Sequence, residues 1–441
     1  MDFRSITSQI TDLVLPIENA TLDQWVQWIE LATWQRLLLS CYILESQQAV
    51  LLAREPLPSL IQDTGLDLPI PAHHSLWDAA TTAEWAFAVQ RSPQVPRYVY
   101  EVTPELAVPP LDSFQSSVLL AAHYNRFDNP APYQSSPSNF EIEHLLDTSP
   151  TTTRQLLTAK LVQVTPVRAL LAVSGESWIL SEKVPSVQGF TTLKTTLWTW
   201  LSQLWSVSTA EIHTVAIKEA LILSIKILQN ALKEQQQSIT PEVGTDMGIY
   251  FASLVLWAIT TAANTRVKGP QKMAQQQSLR RGSRSPLPIG TSSSDPVSLC
   301  QTLTYFAPHP PSISPSPIQT ATGLTLSRST SPISQPSQDC NTLSHAQITI
   351  NTITFLSTAL LDLGSPEAMS QLPLNIARCQ KGCISMLLWV KLRLRGVSLE
   401  DHSGMADTWT CRPGEGLGEL LDGMTGSLER MLTRGWNGWG I

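Results

Sequence analysis

The chain has 441 residues, a formal net charge of −7, 42% hydrophobic residues and only 15% charged ones. That apolar share can fill one large core or two ordinary ones, which excludes a chain disordered throughout. The negative balance excludes broad gripping of nucleic acid by this chain alone, because such affinity comes from lysine and arginine displacing counterions.

The opening MDFRSITSQITD carries charge early and no apolar run, so it is no secretory signal, and a cytosolic or nuclear protein is expected. Helical periodicity dominates the first 264 residues and alternating strand patterns are scarce, which predicts an all-α fold. Thr21 and Gln24 form a capping-box pattern ahead of a helix carrying Trp25, Trp28, Ile29, Ala32 and Leu39. Its apolar residues occupy more than one face, so the helix is expected to be buried. A proline-bounded turn follows. His73 and His74 are read as divergent loop residues rather than metal ligands, and Leu76–Trp77 opens a short helix whose Trp77 is expected to point into the core.

Residues 191–205 place Leu193, Leu197, Trp200, Leu201 and Leu204 at helical spacing, and Ser208 with Glu211 signals a further helix through Leu232. Met247 to Thr265 is uncharged and long enough to be tested as a membrane span. Its threonines and Asn264 favour a buried core helix instead. Composition then shifts. From Pro286 to His345 there are ten prolines and three charged residues, Asp295, Arg328 and Asp339, which predicts a disordered insertion dispensable for folding. Just before it, Lys268, Lys272, Arg280, Arg281 and Arg284 gather five positive charges. Arg280, Arg281, Ser283 and Arg284 read as an import or phosphorylation segment, with a solvated basic linker as the alternative. Helical patterns return at 346–362, 379–395 and 415–434. The boundaries expected are therefore a helical region at 1–264, a disordered Ser/Pro-rich insertion at 265–345, and a C-terminal helical part of the same domain at 346–441.

Chemistry-bearing patterns are sparse. The six cysteines, at 41, 300, 340, 379, 383 and 411, include no Cys-x-x-Cys pair and assemble no four-ligand zinc site, so Cys379 and Cys383 are read as structural. There is no Gly-x-Ser-x-Gly elbow, phosphate loop, His-Glu-x-x-His or Asp-Asp pair, and Gly414, Gly416 and Gly418 lack a preceding strand. Glu30 and Glu84 show no cleft partner. No catalytic, cofactor or metal residues are expected, and the chain is read as a non-enzyme.

Taken in order, Trp25, Trp28, Glu30, Arg36, Tyr42, Arg54, Pro56, Pro69, Pro71, Leu76, Trp77, Glu84 and Trp85 resemble the regulatory, middle-homology domain of fungal-specific zinc-finger and zinc-cluster transcription factors. The stretch IYFASLVLWAITTA, with Trp257, and the closing SLERMLTRGWNGWG are similar to later helices of that family. The resemblance implies an irregular multi-helix regulatory domain, interrupted by the insertion and built on a motif core of Trp25, Trp28, Arg36, Tyr42, Pro56, Leu76, Trp77, Trp85 and Trp257. It implies a nuclear regulator of a metabolic or secondary-metabolite gene set, acting through protein partners as a homo- or heterodimer. Family members carry zinc fingers or a six-cysteine zinc cluster upstream. This sequence shows neither, so zinc is expected only in a module missing from the chain, contact with DNA only indirectly, and no membrane association. A truncated gene, a split gene and a regulator without its reader all fit. The alternatives from other classes are a helical interaction scaffold without a transcriptional role and a helical enzyme of unlisted chemistry.

Overall fold

The computed structural model describes residues 3–14, 21–51, 68–92, 95–103, 109–124, 142–175, 187–205, 211–234, 245–282, 344–364, 373–395 and 419–434. Thirteen α-helices lie among them: α1 (Phe3–Val14), α2 (Leu22–Leu51), α3 (His74–Trp77), α4 (Thr82–Arg91), α5 (Ser113–Tyr124), α6 (Pro150–Gln163), α7 (Val167–Ser174), α8 (Val187–Ser202), α9 (Glu211–Glu234), α10 (Thr245–Gly282), α11 (His345–Gly364), α12 (Pro373–Leu394) and α13 (Glu419–Arg434). Among the described residues there is no strand beyond one isolated antiparallel bridge between Pro69 and Tyr98. The fold is all-α, as the periodicity requires.

The chain divides into two units. One comprises Met1–Gln271 with Ser344–Ile441, the other Lys272–Leu343. In the second unit only the last stretch of α10 is described. The expected disordered insertion, and with it Ser283 and Arg284, falls mostly outside the described residues, as do Pro56 and Ser208.

Within the first unit the largest apolar cluster surrounds α10. Ile249 to Ile259 of that helix are at most 2% exposed, and α6, α7, α8, α9, α11, α12 and α13 all contribute to the surrounding core. Met247–Arg266 is long and apolar enough to cross a bilayer, yet Met247 to Asn264 is buried inside protein, which is how a central core helix reads. The hydroxyls of Thr260 and Thr261 return to the carbonyls of Leu256 and Trp257 at 2.7 and 2.8 Å, so these polar side chains enter the core satisfied. The helix does not stop at 264 as the composition suggests. It continues to Gly282 through Gly269 and Pro270. The residues that follow proline, Lys272 to Arg281, are mostly strong helix formers, and their summed propensity opposes a single proline cost of about 3 kcal/mol.

Two smaller clusters build the N-terminal part. One packs Leu39, Tyr42 and Ile43 of α2 against α5 and the segments 68–70, 99–102 and 142–146. The other joins α1, α2, α3 and α4 around Trp28 and Trp85. Thr21 and Gln24 form the expected capping box: Thr21 N–H donates to Gln24 Oε1 at 3.0 Å, and Gln24 N–H to Thr21 Oγ1 at 3.3 Å. The expectation of a fully buried α2 needs correction. Trp28, Leu31, Leu39 and Ile43 are buried, but Leu22, Val26, Trp34, Leu37 and Leu44 are exposed. Its neighbours α1, α4 and α5 cover only one side, so apolar residues all round the helix leave one face uncovered.

Helix termini follow local chemistry. The α6–α7 corner turns by 91° around Thr165 and Pro166, and α7 ends on Gly175 at φ 93°, a left-handed geometry that favours glycine. In the α11–α12 pair, a Cβ on Gly382 would lie 2.6 Å from Phe355 Cβ. Gly382→Leu is therefore expected to lose at least about 1–3 kcal/mol through overpacking. Gly426→Ala, whose added carbon would meet only the flexible Arg430 side chain at 3.7 Å, should be neutral or gain up to about 1 kcal/mol from helix propensity. Urea titrations of the two variants check the contrast.

Candidate functional site

The residues of the Trp-Arg-Pro-Trp motif meet where α2, α3, α4 and the start of α5 converge. The backbone of 68–70 is clamped to 97–99 by Ile70 N–H to Arg97 O at 2.8 Å and Val99 N–H to Leu68 O at 2.9 Å. This pairing presents Pro71, whose carbonyl accepts from Gln115 Nε2 at 2.7 Å. Gln115 is completely buried. It also closes a capping box with Asp112: Asp112 N–H donates to Gln115 Oε1 at 2.9 Å, and Gln115 N–H to Asp112 Oδ1 at 2.8 Å.

The other carboxylate oxygen of Asp112 faces α3. Oδ2 accepts from His74 N–H at 2.7 Å and lies 3.6 Å from His74 Nδ1. His73 caps α3, its Nδ1 lying 3.0 Å from Ser75 Oγ and 3.3 Å from the Ser75 backbone nitrogen. The two imidazoles do not diverge as a free loop would have them. Their ring centroids are 4.1 Å apart, because the N-terminus of α3 docks on Asp112 and fixes both side chains on one side. Burial, and then the neighbouring His74, holds the His73 imidazole below its ordinary pKa, with Asp112 pulling the other way.

Arg36 of α2 enters the same cluster from below. Its guanidinium sits 4.8 Å from the Trp77 ring and 4.9 Å from the Phe114 ring. Burial lowers its pKa, and the charges of Asp112 and Asp78 oppose that shift. Two aromatic faces and two carboxylates thus retain a cation in a partly desolvated place. Trp77 is only half-buried. It covers Arg36, while Leu76 at 4% exposure is the side chain of α3 that enters the core. Above this floor, His73, Ser75, Asp78, Glu84, Phe87 and Arg91 border an open depression of about 410 Å³. Thr81 and Glu84 order its rim: Glu84 N–H donates to Thr81 Oγ1 at 3.2 Å, and Ala80 N–H to Glu84 Oε2 at 2.9 Å.

The architecture thus brings together Trp28, Arg36, Leu76, Trp77 and Trp85, with Trp25 packed at the edge of the same cluster. Tyr42 lies in the neighbouring cluster, and Trp257 sits apart in the core around α10. Arg280 and Arg281 lie near the end of α10. Asp112 and Gln115, the polar centre of the site, escaped the sequence reading. Their spacing, Asp-x-x-Gln ahead of an apolar run, is itself a capping signature and would have marked the start of α5.

Cys379 and Cys383 are buried, as structural residues should be. The Cys379 thiol is pushed up to about 12 by burial and by Asp362, which lies 3.7 Å away, and Cys383 is also raised by burial. Neither offers a reactive thiolate at neutral pH.

Residues 5–127 match the model of the fungal specific transcription factor domain. It is residues 5–127 that are similar to this domain. None of the curated proteins and none of the solved structures compared with the chain matches it. The matched stretch contains α2 to α5, most of α1, the Asp112–Gln115 box and the Trp28–Trp85 contact. The stretches around 247–263 and 415–439, which resemble later helices of the family, lie beyond the matched residues.

Proposed function

We propose that the chain is a transcription regulator of a fungal metabolic or secondary-metabolite gene set, acting in the nucleus through protein contacts rather than through DNA or a substrate. The match of residues 5–127 to the fungal specific transcription factor domain carries this reading. A net charge of −7 and the lack of finger-spaced zinc ligands in the sequence favour contact with DNA through a partner or a separate zinc module. The exposed Leu22, Val26, Leu37 and Leu44 recur along α2 at intervals of a helical stripe, which suits pairing with a second copy of the same domain. Arg280, Arg281 and Arg284 supply an import segment, with Ser283 as its modifiable hydroxyl.

The test joins the full chain to a heterologous DNA-binding module in a fungal host carrying the matching reporter. A change in transcription of about fivefold or more is expected, and Leu37→Glu should reduce it by disrupting the α2 stripe. A fusion that enters the nucleus and leaves the reporter unchanged would instead favour a scaffold without a transcriptional role.

A further inference from the structure

The polar cluster has a second capacity, independent of transcription. His73, His74 and Asp112 each offer a ligand atom, and the three atoms lie within 4.8 Å of one another. We propose that these side chains form a binding site for a divalent first-row cation of borderline softness, with Zn²⁺ as its occupant.

The donor set is the first argument. Two imidazoles and one carboxylate are the ligands that zinc takes in sites with three protein donors, and their chemistry does not suit calcium or magnesium, which prefer all-oxygen shells. The support around the donors is the second. Asp112 is held at Oδ1 by Gln115 N–H and at Oδ2 by His74 N–H, and its side chain is only 4% exposed. The His74 backbone is thereby tied to the carboxylate that its imidazole would join. Ser75 N–H donates to His73 Nδ1 in the α3 cap, so coordination through Nε2 requires the other tautomer, with Nδ1–H turned to Ser75 Oγ at 3.0 Å. An outer-shell bond of this kind fixes ring orientation and tautomer in metal sites.

Geometry sets the remaining requirement. Zinc bonds of about 2.0–2.2 Å place tetrahedral donors about 3.4 Å apart. Donor atoms up to 4.8 Å apart must therefore close by up to about 1.4 Å. The His74 side chain, 57% exposed, has room to rotate for this while Asp112 stays in place. Asp78 and Glu84 border the same depression and add negative charge. Arg36, held against the Trp77 and Phe114 rings, and Arg91, which borders the depression over the Phe87 ring, are opposing cations. Three protein donors leave a fourth position for water or for a donor from a ligand in the depression.

The experiment titrates the chelator-stripped full chain with zinc chloride alone by calorimetry, with Co²⁺ absorption as a spectroscopic probe of nitrogen and oxygen coordination. A class of sites with one equivalent and a Kd on the order of 10⁻⁵ M or tighter is expected. His74→Ala removes an exposed side chain, so folding is retained and that class should weaken by about tenfold or more. Asp112→Asn keeps an oxygen for the α5 cap and should weaken it similarly. His144→Ala, at an exposed histidine elsewhere, should change nothing. Absence of any such class overturns the proposal. Binding that both His74→Ala and Asp112→Asn leave unchanged overturns it too, because the metal would then sit on cysteines or other histidines.

Discussion

Trp28→Ala is expected to lower the free energy of unfolding by about 3–5 kcal/mol, the range for removing a large aromatic side chain from a packed core. Trp28 and Trp85 are each 1% exposed, with ring centroids 5.8 Å apart and planes tilted by 48°. Leu76 and Ala32 complete the buried cluster, and Ile10, Leu13, Ala72 and Ala88 pack around it. These neighbours belong to α1, α2, α4 and the region of α3, so the void would lie where four elements meet and no single one could move to fill it. The indole Nε1 of Trp28 is buried without a hydrogen-bond partner among the described residues. Trp28→Phe should therefore cost much less than Trp28→Ala, since it keeps most of the apolar volume and removes an unsatisfied donor. In a double-mutant cycle with Trp85, the ring pair itself should account for about 0.5–1.5 kcal/mol. Trp34, on the same helix but 47% exposed, is the control, and its replacement should stay within about 0.5 kcal/mol. Equal losses at Trp28 and Trp34 in chemical denaturation would show that the burial pattern of α2 is wrong.

How far the sequence discloses this architecture depends on the range of the forces involved. The Thr21–Gln24 box is legible because both partners lie within one helical turn, and the structure shows both of its hydrogen bonds. The central position of α10 is legible because nineteen uncharged residues must avoid water. The exposed face of α2 is not. Apolar residues around a whole helix report only that burial would be favourable, and which face finds partners is decided by α1, α4 and α5. The histidine pair fails for the same reason, since adjacent residues diverge in most backbones. Here Asp112, 38 positions from His74, captures the N-terminus of α3 and draws the imidazoles together. The motif residues of the site were legible through the family resemblance, whereas their polar centre required contacts across long sequence separations. Gln115 reaches Pro71 across 44 positions, and no local pattern encodes that bond.

Breaking the Arg154–Glu234 pair is the second large effect expected. Arg154 on α6 and Glu234 at the end of α9 are 2% and 3% exposed, and Arg154 Nη1 donates to Glu234 Oε2. The pair joins helices 80 positions apart. It is also incompletely satisfied: Arg154 Nε and Glu234 Oε1 are buried without hydrogen-bond partners among the described residues. Glu234 stands at a helix C-terminus, where the backbone dipole opposes negative charge, so the carboxylate depends on the guanidinium more than one in mid-helix would. Removing either partner strands an ion away from water. Arg154→Ala and Glu234→Ala should each lose about 3–5 kcal/mol. The combined variant Arg154→Met with Glu234→Leu should behave oppositely, being neutral or more stable by about 1–4 kcal/mol, because apolar side chains of similar volume need no compensation for desolvation. The consequence extends beyond local stability. Helix α6 packs on α5 of the matched stretch through Ser117 Oγ to Gln155 Oε1 at 2.9 Å, and on α9 of the α10-centred core through the ion pair. Among the described residues α6 contacts both clusters of this unit, so the single variants should loosen the C-terminal core relative to α1–α5 before either unfolds. Hydrogen exchange should register this as increased exchange in α6 and α9 with α2 unchanged, while urea melts give the free energies. Single variants that lose less than about 1 kcal/mol, the level of an ordinary surface change, would show the pair to be solvated.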